Sequence, residues 1–288
     1  MTTLPTVVAV TGIAGLATGL GALPVFVRAR VTHRAYDAAL GLAAGLMVAA
    51  SVFGLILPGM EAGTLAAVTT GVLVGGAALL GGNYAIPHLH AQYREWLPEG
   101  GATGADAAIP TGDGLTVDDP ADHSVGDGSL SAATDAREVT LRKALLIGGA
   151  ITLHNAPEGL AIGVAFASGF EEVALLLAVV IGLQNVPDGF AFAVPMADTG
   201  MSNLRVLWYT TLSGLIPQVV AAVFGFSLVG LAAGLFPVSA GFAAGAMLAV
   251  VFRELIPSSH GHGHADAATG AFLLGFVLLV VVDAVVVV

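Results

Sequence analysis

The sequence predicts an all-α polytopic membrane protein with eight transmembrane helices, and three observations carry that prediction. First, 56% of the 288 residues are hydrophobic and only 10% are charged, with a mean hydropathy of +0.90. A soluble domain carries about 25% charged residues, so lipid is the solvent expected for most of this chain. Second, apolar stretches close to the ~20 residues that cross a bilayer as a helix recur eight times. Third, the basic residues fall where a single membrane face would collect them.

The expected spans are 5–27, 36–57, 64–86, 140–168, 172–196, 203–230, 237–257 and 267–287. The N-terminal MTTLPTVVAV has no positively charged segment before its apolar run, so span one reads as a retained helix rather than a cleaved signal. Arg28, Arg30 and Arg34 lie between spans one and two, and Arg94, Arg137, Arg142 and Lys143 around the connection from three to four. Arg205 lies between five and six, and Arg253 at the end of seven. With eight spans and both termini outside, every basic residue falls on the cytoplasmic side; an odd count scatters them. The expected location is the plasma membrane.

Residues 1–87 thus form a first group of three spans and 140–288 a second group of five. Between them, 88–139 is rich in Gly, Ala, Asp, Pro and Ser and holds ten acids. Such a composition cannot bury enough apolar surface to offset the entropy of ordering, so a disordered cytoplasmic loop is expected there. Net charge is −11 and cysteine is absent. The first excludes a basic nucleic-acid surface, and the second excludes thiolate metal sites and cysteine nucleophiles.

Two internal repeats stand out. HNAPEGLA at 154–161 and QNVPDGFA at 184–191 match at an offset of thirty, in adjacent spans of opposite direction. GLAAGLM at 41–47 matches GFAAGAM at 241–247, in spans two and seven, which also run oppositely. Inverted repeats around central spans are the organisation of many secondary transporters; spans one to three pair with six to eight, and four with five.

Glu158 and Asp188 sit well inside their spans, where a charge costs about 2.5–3.5 kcal/mol on insertion scales. On a helix, i, i+3 and i+4 share a face. His154, Asn155 and Glu158 therefore point one way from span four, and Gln184, Asn185 and Asp188 repeat the triangle on span five. Imidazole, carboxylate and amide oxygens together suit a borderline or hard divalent cation, not soft Cu(I). Pro157 and Pro187 each remove an amide donor and disfavour the carbonyl bond four residues back. Gly159 and Gly189 let helices approach closely. Polar side chains of membrane helices also serve simply as interhelical hydrogen bonds, and the two acids would equally serve a proton-coupled transporter of another solute. An intramembrane metallohydrolase is the third alternative, although the chain has no HExxH motif and no Ser/His/Asp set, so an enzyme is not expected.

At these residues the sequence resembles the ZIP (Zrt/Irt-like) family of divalent metal transporters, in its prokaryotic GufA-like branch. The resemblance spans the chain: eight spans, outside termini, a variable loop after span three, and HNAPEG and QNVPDG in signature positions. It implies uptake of zinc, and also iron, manganese, cadmium or cobalt, into the cytosol by an elevator-like movement. The metal is substrate, with no resident cofactor; the bilayer and a homodimer partner complete the expected associations. Residue by residue, it implies one metal on His154, Glu158 and Asp188, with Met47 as a soft ligand. A second metal would lie against Asn155, Gln184 and Asn185, bridged by Glu158 and Asp188. RELIP at 253–257 resembles the family's span-seven HELIP-like motif and makes Glu254 an exit ligand, while Asp283 matches a span-eight acid. Two departures remove negative charge. LSGLIPQ at 212–218 resembles a span-six stretch where the family has Glu-Pro, and here Pro217 or Gln218 takes the acid's place, while Asn83 stands where a span-three Asp is usual. A third, Arg253 for a His, adds positive charge. Asp188 is also a shorter acid than the family's Glu. Finally, His260, His262 and His264 in SSHGHGH form a metal-binding composition on the cytoplasmic side.

Overall fold

The computed structural model describes residues 2–27, 32–93, 154–198 and 200–286. Helix α1 (Leu4–Leu20) is followed by a short α2 (Leu23–Phe26), separated by Gly21, where a Cβ would come within 2.3 Å of the Val186 carbonyl. Helix α3 (His33–Ala49) starts at Thr32, whose hydroxyl accepts from the Ala35 amide at 3.2 Å, an N-cap that satisfies one orphan donor. It continues through a π-helical turn (Ala50–Ile56) into α4 (Leu57–Ala62). Helix α5 spans Leu65–Tyr93, α6 spans 154–167, and α7 spans Glu171–Asp198. Next come α8 (Asn203–Leu231), a 3₁₀ turn (Ala233–Leu235) and α9 (Phe236–Val250). A second π turn (Val251–Leu255) leads into α10 (Ile256–Ser259), and α11 (Ala265–Val286) closes the chain.

Among the described residues, seven stretches are long and apolar enough to cross a membrane, and α6 supplies the described part of an eighth. The expected all-α polytopic architecture is therefore present. Helix α5 continues to Tyr93, past the point at 88 where the acidic connection was expected to begin; residues 94–153 lie outside the described residues, and with them Arg94, Arg137, Arg142 and Lys143. Arg28 and Arg30 lie outside them as well.

Each π turn has an identifiable cause. Pro58 and Pro257 sit in the first turn of the helices that follow. A proline cannot donate to the carbonyl four residues back and collides with it, and widening the preceding turn accommodates that clash. The two turns occupy matching places in spans two and seven.

Close helix contacts repeat in the same way. A Cβ on Gly41 would come within 2.2 Å of the Ala268 carbonyl, and one on Gly45 within 2.0 Å of that of Phe272. Two hundred residues away in each case, Gly241 meets the Val68 carbonyl at 2.3 Å and Gly245 that of Val72 at 2.0 Å. Gly75 against the Phe242 carbonyl is answered by Gly275 against that of Leu42. In lipid the hydrophobic effect does not drive helices together, so small residues that admit backbone against backbone carry the association. Span two is thereby locked to span eight, and span seven to span three.

The remaining spans form a second body. Helix α1 packs on α7 and α8. The backbone of α6 rests on α8, with Gly159 against the Gln218 carbonyl, and that of α7 on α1, with Gly189 against the Thr18 carbonyl. Gly159 and Gly189 are thirty apart, Thr18 and Gln218 two hundred, so both repeats describe one pseudo-two-fold arrangement. Spans two and seven are the most enclosed, 67% buried over their apolar windows, against 17% for the last span. The core runs between the two bodies, where α6 and α7 face spans two and seven.

Candidate metal centre

Helices α6 and α7 bring their polar faces together at the middle of the molecule. His154, Asn155 and Glu158 are buried on α6, and Gln184, Asn185 and Asp188 on α7; Glu158, Asn155, Gln184 and Asn185 have no exposed surface. Both helices pass through their prolines without a break, so each triangle keeps its helical geometry.

The His154 Nε2 atom lies 3.5 Å from Asp188 Oδ2 and 3.9 Å from Glu158 Oε1. One ligand atom from each of the three residues falls within 4.8 Å of the other two, the one such group of His, Asp and Glu among the described residues. Two ligands held about 2.05 Å from zinc at a tetrahedral angle stand about 3.3 Å apart. The two separations from His154 Nε2, 3.5 and 3.9 Å, lie within about 0.6 Å of that value. Neither His154 Nε2 nor either carboxylate oxygen of Asp188 has a hydrogen-bond partner among the described residues. A buried polar atom left in that condition costs about 1–3 kcal/mol, and a cation placed among the three removes the cost at each.

The amides are turned the other way. Gln184 donates from Nε2 to Glu158 Oε1. Gln218 on α8, also without exposed surface, approaches Glu158 Oε2 with Nε2 at 3.5 Å. Asn185 donates from Nδ2 to the Ala14 carbonyl at 2.8 Å and to Gln218 Oε1 at 3.1 Å. Span one thus contributes through its backbone, which no polar side chain in its sequence signalled.

Glu254 enters from the π turn of span seven, with Oε2 3.8 Å from His154 Nδ1. That is the ring nitrogen opposite the one facing Asp188, so Glu254 and Asp188 address different sides of the imidazole. Met47 is fully buried on α3, where its carbonyl accepts a hydrogen bond from Ser51. Asp283 is half-buried near the end of α11 and has no hydrogen bond or ion pair to the centre. The side chain of Asn83 lies outside the described residues.

The SSHGHGH rings do not converge. His260 Nδ1 contacts its own helix end at the Ile256 carbonyl and Ser259 Oγ, both at 3.0 Å. His262 Nδ1 lies 2.8 Å from Oδ1 of Asp37, a fully buried carboxylate at the start of span two. The His262 ring stacks on His33 with centroids 4.6 Å apart and meets the edge of Tyr36. His264 is exposed. Asp37 is the second residue of the expected span 36–57 and carries no signal of its own there, because its partner sits 225 residues later.

A family model described as ZIP Zinc transporter matches residues 3–283. Zinc transporter GufA of Myxococcus xanthus is 35% identical over 280 residues, covering 94% of this chain and 95% of the relative. Human zinc transporter ZIP11 is 34% identical, covering 92% and 93%. Zinc transporter ZIPB of Bordetella bronchiseptica is 35% identical, covering 94% and 79%.

Proposed function

The chain belongs to the ZIP zinc-transporter family, a family of transporters and not of enzymes, and from that premise we propose that it carries a divalent cation into the cytosol on His154, Glu158 and Asp188. The observation that carries this reading is the buried group of three ligand atoms within 4.8 Å of one another, with an imidazole nitrogen and a carboxylate that lack hydrogen-bond partners among the described residues. Two carboxylates and a neutral imidazole bring a formal charge of −2, which one divalent cation balances. Nitrogen and oxygen donors place zinc first, with iron, manganese, cobalt and cadmium admitted by the same ligands. Glu254 is the next ligand on the inward path, and Met47 a soft contact in passing. The protein lies in the plasma membrane with both termini outside, a topology that the distribution of basic residues in the sequence supports.

An elevator-like movement has support in how far the molecule departs from its own repeat. Between spans five and two, Phe190 sits against Tyr36 with ring centroids 5.7 Å apart, and Leu177 sits against Gly54. Translated through the repeats, Glu254 would stand opposite residue 147 and Phe236 opposite Leu160. Instead Glu254 meets His154, and Phe236 meets Phe170 with centroids 4.9 Å apart. The offset at Glu254 is seven residues, about 10 Å at 1.5 Å per residue. Exchange of the two registers moves α6 and α7 by that distance and carries the centre from one side of spans two and seven to the other.

Uptake of zinc, cadmium, iron and manganese into proteoliposomes tests the function, with wild type compared against His154→Ala and Glu158→Ala. Loss of uptake in both supports it. Unchanged uptake in both refutes it, and solute flux without metal dependence would favour proton coupling.

A further inference from the structure

We propose that Gln218 limits the centre to a single cation by holding its amide NH₂ against the second oxygen of Glu158. This rests on the metal-transport reading above and adds the residue that sets its stoichiometry.

The orientation of the Gln218 amide is not free. Asn185 donates to Gln218 Oε1 at 3.1 Å while the same NH₂ group is anchored on the Ala14 carbonyl at 2.8 Å. With its oxygen engaged as an acceptor, Gln218 has only its NH₂ left for Glu158, and Nε2 stands 3.5 Å from Oε2. The other oxygen, Oε1, accepts from Gln184. Each Glu158 oxygen therefore faces an amide donor, and a cation approaching from the α8 side meets the positive end of a dipole. His154 Nε2, Asp188 Oδ1 and Asp188 Oδ2 have no hydrogen-bond partner among the described residues, and Nε2 and Oδ2 stand 3.5 Å apart.

Charge leads to the same conclusion. Gln184 Oε1 and Asn185 Oδ1 are buried acceptors without hydrogen-bond partners among the described residues, yet both are neutral. At a given distance two dications repel about four times as strongly as two unit charges. One cation already balances Glu158 and Asp188, and no third carboxylate on the α8 side offsets a second. The backbone of Gln218 is fixed by Gly159 against its carbonyl, as that of Thr18 is by Gly189. The side chain alone thus decides what the position does.

The test counts cadmium per chain on the purified full-length protein by equilibrium dialysis and mass spectrometry, each variant taken relative to its Glu158→Ala counterpart. The difference is expected to be one with Gln218 present and two in Gln218→Glu, where the added carboxylate recruits a second cation. Two with Gln218 present, or one in a folded Gln218→Glu, overturns the proposal. Gln218→Met, of similar length but without a donor, covers the case in which the charged variant does not fold. With no donor facing Glu158 Oε2, it is expected to admit a second, weaker cadmium, and a difference still of one at saturating cadmium overturns the proposal. A difference of zero in the wild type instead refutes the metal site itself, a failure distinct from a wrong count.

Discussion

Replacing Glu158 by Gln keeps the volume of a fully buried side chain and removes one of the two charges that hold the cation. Gln184 donates to one oxygen of Glu158 and Gln218 approaches the other, so the variant's own NH₂ must oppose one of them. Gln184 can rotate its amide to accept instead, because its Oε1 has no partner among the described residues; Gln218 is held by Asn185. The fold therefore survives and the cost falls on the metal. Removing one partner of a buried charge pair costs about 3–5 kcal/mol, which weakens Kd by about 10²–10³-fold or somewhat more. Thermal unfolding in detergent reads this directly. Metal at 100 times Kd stabilises the folded protein by about 2.7 kcal/mol, and a thousandfold weaker variant loses nearly all of that at the same concentration. Without metal, the variant melts no lower than wild type, because a buried carboxylate has been neutralised. A metal-induced rise equal to that of wild type, or a large loss of stability without metal, would refute the reasoning.

Further outcomes follow from the same structure. Gly45→Ala and Gly245→Ala each put a methyl group 2.0 Å from a carbonyl of the facing helix and should each cost about 1–3 kcal/mol as overpacking. Gly230→Ala, with nothing within 4 Å, should be harmless; thermal scans of the three compare them. Binding requires His154 as neutral imidazole and both acids ionised. Affinity should therefore fall as pH is lowered through the imidazole titration and level off above it, measured by cadmium binding against pH. His262→Ala removes the partner of the fully buried Asp37 and should cost about 1–3 kcal/mol. Adding Asp37→Asn should recover part of that, since no charge is then left unpaired; a double-mutant cycle on melting temperature measures it.

The residues of the candidate site stand out in the sequence. Buried acids are costly in lipid, so HNAPEG and QNVPDG announced themselves, and helical spacing put their polar residues on one face. The expected ligands His154, Glu158 and Asp188 do stand together. What spacing could not give was the direction of each amide. Gln184, Asn185 and Gln218 have identical donors and acceptors in any sequence, and only the neighbours of each decide which end faces Glu158. SSHGHGH reads from composition as metal-binding, and composition does not say where each ring points: His260 lies on its own helix end and His262 on Asp37, with Gly263 at φ +82 in the turn that follows.

The sequence by itself determined where the chain crosses the membrane and that its halves repeat. Lipid forces every backbone group to be satisfied within a helix, so length and apolarity settle each span locally. Tertiary structure decided the rest: the glycine seams that separate the two bodies, the carbonyl of Ala14 beneath Asn185, and the contact of Glu254 with His154 against the repeat. Those depend on how helices distant in sequence slide past one another, a register that no single span encodes.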